Sequence, residues 1–178
     1  MEVGSVDLMP IIETARGQDA VRAIAQAGTR IKRLSFGAGD YTKDLGMEWS
    51  LSEHELASMR AEMVVASRLG ELEPPVDTVF IHIKEDEAFR VSCELVRDLG
   101  FQGKLCIHPD QISTANTAFT PTEEQLAFAK KVIDAFVEAE AAGSASIQID
   151  GYFVDYPIVD KAQRIVDIAE AIARAEAA

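Results

Sequence analysis

The chain has 178 residues, 48% of them apolar and 26% charged, which is typical of a water-soluble globular protein with one packed core. The formal net charge is −13, from 17 basic and 30 acidic residues, and no cluster of Lys and Arg stands out. These features argue against a nucleic-acid-binding surface. No apolar run approaches the roughly 20 residues of a membrane-spanning helix, and no signal peptide is recognisable, so we expect no membrane association.

The two cysteines, Cys93 and Cys106, lie inside apolar segments and lack the spacing of metal ligands. Disulfides are rare in reducing compartments. We therefore predict that both are reduced core residues of a cytoplasmic protein.

Strand and helix patterns alternate along the chain up to Gln111. Short apolar runs predict four strands, at residues 8–12, 33–37, 77–83 and 104–107. Apolar residues at helical spacing predict the intervening helices, over 18–33, 52–69 and 85–99. Such alternation predicts parallel strands joined by right-handed crossovers.

Two local signals mark helix ends in this region. Ser52 and Glu55 fit the S-x-x-E capping box at the start of the second helix. Gly100 follows the third helix at the position where a left-handed glycine commonly ends a helix. Arg60 lies in the middle of the second helix, where it either pairs with acids on its own helix face or contacts a phosphate.

Beyond residue 118 the pattern changes. Thr120, Pro121 and Glu123 stand at the N-cap, N1 and N3 positions of a helix predicted over 121–142.

A hairpin and a last helix complete this part of the chain. Asp150-Gly151 separates two β-prone runs, which is a strong signal for a tight two-residue turn. Pro157 begins the last predicted helix. We therefore predict two domains, 1–118 and a helix–hairpin–helix extension over 119–178.

A carboxylate follows each of the first two predicted strands. Glu13 follows the first strand and Asp40 the second. Since the carboxyl ends of parallel strands meet at one edge, where barrel enzymes carry their chemistry, the two acids are expected close together. Two carboxylates can hold one Mg²⁺ and leave coordination positions open for a substrate. The alternative is that each acid caps the helix that follows its strand.

The motifs resemble those of a known superfamily. Residues 10–14 and 36–40 resemble the HpcH/HpaI aldolase and citrate lyase superfamily. Four later motifs narrow the resemblance to citrate lyase beta-subunit-like proteins: residues 99–104, 107–112, 119–121 and 150–157. The resemblance follows the chain in order over essentially its whole length.

The resemblance implies a TIM barrel with a C-terminal lid. It also implies Mg²⁺-dependent making or breaking of a carbon–carbon bond beside a thioester. The expected partners are citryl-, malyl- or citramalyl-type thioesters of CoA or an acyl carrier protein, together with a small 2-oxo acid. Asp155 would be the catalytic acid of the lid, acting on a neighbouring subunit; the alternative is that it only caps the helix beginning at Pro157.

The resemblance also assigns the site at the strand ends. Glu13 and Asp40 would be the metal ligands, and Gly37, Ala38 and Gly39 would contact the substrate. From the residues alone, the two glycines either let the backbone approach a ligand or simply make the turn.

The predicted fold class is α/β, the C-terminal half of a TIM (β/α)₈ barrel with four parallel βα units, followed by the lid. A complete barrel takes about 250 residues, and the family's opening strands and substrate-binding arginines are absent here. The open apolar edges of a half-barrel invite pairing with another chain. The chain is therefore either part of something longer or closed by a partner or by its own copy, and we expect a homo-oligomer.

The leading functional prediction is a Mg²⁺-dependent carbon–carbon lyase that acts on a 3-hydroxyacyl thioester through an enolate. One alternative is a class II aldolase for free 2-oxo acids, against which the lid motif over 150–157 argues. The other is a non-catalytic assembly or regulatory remnant of the family.

Overall fold

The computed structural model describes residues 4–28 and 30–177. The chain divides into two compact units, the first ending at Phe119 and the second beginning at Thr120. Within the described ranges, no helix is both long and apolar enough to cross a membrane.

The first unit is built on a parallel sheet with the strand order β1-β2-β3-β4. Its strands are β1 (Ile11–Ile12), β2 (Ser35–Phe36), β3 (Val76–Asp77) and β4 (Gly103–Lys104). The helices of this unit are α1 (Ala15–Ala25), α2 (Ala38–Leu45), α3 (Ala57–Leu69), α4 (Asp86–Leu99) and α5 (Asp110–Phe119). The alternation of parallel strands with helices is therefore confirmed.

The strands are shorter than the apolar runs predict. The largest difference lies at 77–83, where the third strand is confirmed but only Asp77 of the predicted range belongs to a ladder, so its predicted length is wrong. Phe80 is fully buried beside Phe89 and Cys93, so the apolar character beyond β3 reflects burial in the core rather than pairing with a neighbouring strand.

The two faces of the sheet have different surroundings. Ile12 and Phe36, which pair across β1 and β2, are buried in a core shared with α1, α3 and α4. Ile11, one position earlier, is 51% exposed, because successive strand residues point to opposite faces. One face of the sheet is therefore covered by helices, whereas the other exposes an apolar side chain; the half-barrel itself stays a prediction.

The predicted capping box at the start of the second helix is wrong. The Glu55 carboxylate accepts hydrogen bonds from the Ser50 N–H at 2.8 Å and the Ser50 hydroxyl at 2.7 Å. A short 3₁₀ turn, His54–Leu56, precedes α3. Glu53 has a left-handed φ of 52° at this point, and its side chain is drawn into the core, so the helix cannot begin at Ser52.

Other helix ends agree in part with the local signals. α4 ends at Gly100 with φ of 108°, which confirms the left-handed glycine. α1 ends at Ala25, earlier than predicted. α5 was missed by the sequence patterns, although its Gln111, Ala115 and Ala118 are buried at helical spacing.

The second unit contains α6 (Glu123–Ala141), the hairpin β5 (Ile147–Ile149) and β6 (Tyr152–Val154), and α7 (Tyr156–Glu176). α6 is capped by Thr122 in a capping box with Gln125, not by Thr120, so that prediction is two residues early. Asp150 and Gly151 have φ of 48° and 85° between the paired strands, which confirms the tight turn. A lid role for this unit stays a prediction.

The two cysteines have different environments. Cys93 is fully buried, and burial raises the pKa of its thiol to about 12. Cys106 is exposed, so its assignment to the core is wrong. It lies two residues beyond the end of β4.

Candidate functional site

Glu13 and Gly37 lie side by side at the carboxyl ends of β1 and β2. The strands pair Ile12 with Phe36, and the Gly37 N–H donates to the Ile12 carbonyl at 3.0 Å. A Cβ built on Gly37 would lie 2.7 Å from Glu13 Oε2, which is closer than any ordinary contact. The Glu13 carboxylate therefore lies directly against Gly37, and a glycine is required there for steric reasons.

Asp40 lies in the first turn of α2, with Gly37 as the N-cap residue. Its carboxylate is 61% exposed and lies 3.7 Å from the Lys43 ammonium group. Helical side chains lean toward the N-terminus of their helix, so Asp40 leans toward the end where Gly37 and Glu13 meet. The helix dipole also favours a negative charge at this end.

Neither acid caps a helix. Thr14 caps α1, since its hydroxyl accepts the Gly17 N–H at 3.0 Å. Gly37 is the N-cap residue of α2 and makes no side-chain capping hydrogen bond. The capping alternative for Glu13 and Asp40 is therefore wrong, and both carboxylates lie at the strand ends without that structural role.

The predicted substrate-binding segment, residues 37–39, is hydrogen-bonded to the residue that follows β3. The buried Ala38 N–H donates to the Thr78 hydroxyl at 2.9 Å, so this donor is already used within the protein. The first backbone hydrogen bond of α2 runs from the Tyr41 N–H to the Gly37 carbonyl. The N–H groups of Gly39 and Asp40 precede that bond, so they are the first-turn donors of α2 that can serve a ligand.

Three supporting residues were missed by the sequence analysis. Thr78 holds Ala38, as described above. Trp49 lies over Gly39, with its ring 3.6 Å from the position a Cβ would take. Gln111 joins the segments beyond β3 and β4, donating to the Phe80 carbonyl and accepting the Ile107 N–H. The available signals were a polar residue inside an apolar run and the chain's single tryptophan.

Behind the strand ends lies a cluster of four buried charged residues, Glu53, Arg60, Asp77 and Lys104, which we call the buried ion cluster. The Arg60 guanidinium donates to both Asp77 oxygens, at 3.0 and 2.9 Å, and to Glu53 at 2.8 Å. Lys104 donates to Asp77 at 2.5 Å. All four side chains are at most 1% exposed, and two positive charges balance two negative ones.

Arg60 is buried and paired with acids of the protein, so the alternative that it contacts a phosphate is wrong. Burial alone lowers the pKa of this guanidinium, but the charges and hydrogen bonds of Asp77 and Glu53 outweigh burial and raise it. Arg60 therefore stays charged in the core and joins α3 to β3.

Asp155 belongs to the second unit. It occupies the N-cap position of α7, and its backbone carbonyl accepts the N–H groups of Ile158 and Val159 at 3.0 Å. Its carboxylate makes no capping hydrogen bond to the described residues of α7. Asp155 therefore begins α7, but its side chain does not cap the helix. The alternative role predicted for Asp155 is thus wrong.

The donors at the strand ends suit Mg²⁺. Glu13 and Asp40 offer only carboxylate oxygens, which are the ligands that Mg²⁺ prefers. Across residues 4–28 and 30–177, three or more His, Cys, Asp or Glu side chains are nowhere gathered as a protein-made metal cage. Mg²⁺ needs no such cage, because it commonly keeps several waters and binds through one or two carboxylates.

The fold and this site define an α/β protein with carboxylates at the carboxyl ends of parallel strands. The chain belongs to the HpcH/HpaI aldolase/citrate lyase family, whose family model matches residues 1–109. The resemblance of its motifs to citrate lyase beta-subunit-like proteins is thereby confirmed.

Individual relatives are considerably longer. Citrate lyase subunit beta of Haemophilus influenzae is 33% identical over 175 residues, which cover 98% of this chain and 60% of that protein. The mitochondrial citramalyl-CoA lyase of Rattus norvegicus is 27% identical, over 94% of this chain and 52% of that protein. The solved structure of CitE from Mycobacterium tuberculosis, in complex with magnesium, acetoacetate and coenzyme A, has a TM-score of 0.77 at 25% identity, over 92% of this chain and 61% of that chain. Magnesium is thus a cofactor found in this family.

Proposed function

We propose that this chain forms the metal-holding part of a Mg²⁺-dependent carbon–carbon lyase acting on a 3-hydroxyacyl thioester of the citryl-, malyl- or citramalyl-CoA type. The observation that carries the proposal is the contact of the Glu13 carboxylate with Gly37, at the start of the helix that bears Asp40. Relatives named citrate lyase subunit beta and citramalyl-CoA lyase support the substrate class.

The residues at the strand ends would have different roles in binding the metal and the substrate. Glu13 and Asp40 would hold Mg²⁺ through their carboxylate oxygens. The bound ion would supply Lewis-acid polarisation of the substrate oxygen that becomes the carbonyl of the 2-oxo acid. The N–H groups of Gly39 and Asp40, at the positive end of α2, would bind the carboxylate of that acid.

The reaction also requires a group that moves a proton. A base takes the proton of the 3-hydroxyl group, the adjacent carbon–carbon bond breaks, and its electron pair forms the enolate of the shorter thioester. Protonation of that enolate gives the acyl thioester beside the released 2-oxo acid. We propose Asp155 for the proton transfer, because its carboxylate does not cap α7.

We also propose that copies of this chain associate. Ile11, Ile81 and Ile107 are each more than 40% exposed at or just beyond the strands of the first unit. An uncovered apolar sheet face tends to pair with another chain, and association would allow Asp155 of one copy to serve the strand-end site of another.

The proposal is tested by titrating the purified chain with Mg²⁺ in a calorimeter, with and without oxaloacetate. We expect Glu13→Gln and Asp40→Asn each to weaken Mg²⁺ binding by at least about tenfold, because each removes one of two anionic ligands. Glu48→Gln is the matched control: it removes one negative charge from an exposed residue just beyond α2 and should leave binding unchanged.

Equal Mg²⁺ affinity in the wild-type chain and in both site variants would contradict the proposal. A longer form of the chain that includes the preceding strands should cleave malyl- or citramalyl-CoA. The same two substitutions should abolish that cleavage.

A non-catalytic assembly or regulatory protein is the second candidate. Such a protein would bind neither Mg²⁺ nor oxaloacetate in the titration above. A class II 2-oxo-acid aldolase has less support, because the helix, hairpin and helix of the second unit are not expected of it.

A further inference from the structure

The first residue of α2 is tied to the neighbouring strand by one buried side chain. Thr78, directly after β3, is 1% exposed, and its hydroxyl accepts the Ala38 N–H at 2.9 Å. Ala38 is itself fully buried. Water therefore cannot replace the hydroxyl as a partner, and an unpaired N–H would be costly there.

The position of Thr78 is set by the buried ion cluster. Its neighbour Asp77 accepts hydrogen bonds from Arg60 and Lys104, which come from α3 and β4. The backbone at Asp77 is also paired with β4. Thr78 thus directly follows a residue that is bonded to two buried cations from other elements of the first unit.

The same cluster also supports α2 from a second side. Glu53 accepts a hydrogen bond from the Trp49 ring nitrogen at 3.4 Å. The ring of Trp49 lies against Gly39, one residue before Asp40. The first turn of α2 therefore lies between Thr78 and Trp49, and both are held by the buried ion cluster.

We propose that Thr78 is a positioning residue for the Mg²⁺ ligand Asp40. This inference rests on the proposed function, since it assumes that Asp40 binds Mg²⁺. The Thr78 hydroxyl fixes the position of Ala38 and, with it, of the first turn of α2. In that position the carboxylates of Asp40 and Glu13 bind the same Mg²⁺ ion. Outer residues that orient metal ligands typically contribute 10- to 100-fold to metal affinity.

The test compares Thr78→Val, which removes the hydroxyl at nearly constant volume, with Thr78→Ser, which keeps it. Calorimetric titration of the full chain with Mg²⁺ should show about tenfold weaker binding in Thr78→Val. Thr78→Ser should restore the affinity to within about twofold of wild type, since it retains the hydrogen-bond acceptor.

Thr42→Val is the matched control for loss of a buried threonine hydroxyl. Among the residues that the structure describes, the Thr42 hydroxyl donates only within α2, to the carbonyls of Ala38 and Gly39. Its replacement should leave Mg²⁺ affinity unchanged, because the link between α2 and β3 stays intact. Equal affinity in wild type and a folded Thr78→Val would overturn the positioning role alone, and the metal site would stand.

A measurement on the wild-type chain covers the case in which Thr78→Val does not fold. Binding and local order are coupled reciprocally, so saturating Mg²⁺ should slow amide hydrogen exchange at Ala38 several-fold. The Val132 amide, in the second unit, should not respond. Mg²⁺ binding without any change at Ala38 would contradict the inference. A wild-type chain that binds no Mg²⁺ would overturn the proposed metal site, and the inference with it.

Discussion

Two groups of acids in the first unit differ in how their charges are neutralised. Glu53 and Asp77 are buried and accept hydrogen bonds from Arg60 and Lys104. Glu13 and Asp40 lie at the strand ends, where Asp40 is 61% exposed and has Lys43 at 3.7 Å as its cationic neighbour. The carboxylates of the first group are paired with buried cations inside the protein, whereas those of the second group lie at the strand ends outside that cluster.

The comparison shows that the role of a carboxylate depends on the group that pairs with it and does not follow from its position after a strand. Asp77 ends β3 much as Glu13 follows β1, and the sequence shows no difference in kind between them. Burial without a cation would neutralise or destabilise Asp77. An exposed acid remains hydrated, so its charge carries no cost of burial and it needs no cation from within the protein.

The largest effect is expected from breaking the buried ion cluster. Arg60→Met would leave Glu53 and Asp77 as buried charges with reduced pairing, which typically costs about 3–5 kcal/mol of unfolding free energy. Urea denaturation followed by circular dichroism measures this loss.

The control for that substitution is Arg22→Met, which breaks an exposed ion pair with Glu62. We expect a much smaller loss, because water and salt screen surface pairs. Similar losses in the two variants would show that the buried ion cluster has no special role in stability.

A second substitution disturbs the strand-end site without replacing either of its acids. In Gly37→Ala the new Cβ would meet Glu13 Oε2 at 2.7 Å and Ile11 at 3.0 Å, so the Glu13 side chain must move. We expect Mg²⁺ affinity to fall about tenfold, as for other displaced metal ligands. Calorimetric titration with Mg²⁺ measures the change.

Gly103→Ala is the matched glycine control, because a Cβ there meets no atom within 4 Å. It lies on β4 of the same sheet and should leave Mg²⁺ affinity unchanged. If Gly37→Ala behaved like Gly103→Ala, the close contact between Glu13 and Gly37 would have no functional meaning.

The smallest effect concerns Glu55, a partly buried acid between the two extremes. Burial tends to raise the pKa of this carboxyl, but hydrogen bonds from Ser50 and the charge of His54 outweigh burial and place the pKa below its usual 4.5. Because the folded-state pKa is depressed, the stabilisation is present above the unfolded pKa and is lost as pH falls through the folded value.

Urea midpoints at pH 6 and pH 3.5 test this expectation. Wild type should exceed Glu55→Gln in stability at pH 6, and the difference should shrink at pH 3.5. A difference that grows on acidification would mean that the sign assigned to the Glu55 pKa is wrong.

Part of the candidate site could be predicted from the sequence, because it follows strand ends. The placement of Glu13 and Gly37 at one edge follows from two apolar runs and a parallel sheet. The role of Thr78 could not be predicted, since a polar residue in an apolar run does not reveal its partner, and Ala38 is 40 residues away in the chain. The role of Arg60 was missed for the same reason: its acids come from the segment before α3 and from β3.

The motifs of the sequence identified the family. The sequence by itself also determined the alternation of strands and helices as far as β4, the turn at Asp150-Gly151 and the end of α4 at Gly100. These are properties of local backbone preference and apolar spacing, which act over a few residues.

Only the tertiary structure decided the lengths of the strands, the start of α3, the buried ion cluster and the contact of Glu13 with Gly37. Each depends on groups far apart in the chain that meet after folding, where burial makes a hydrogen-bond or charge partner obligatory.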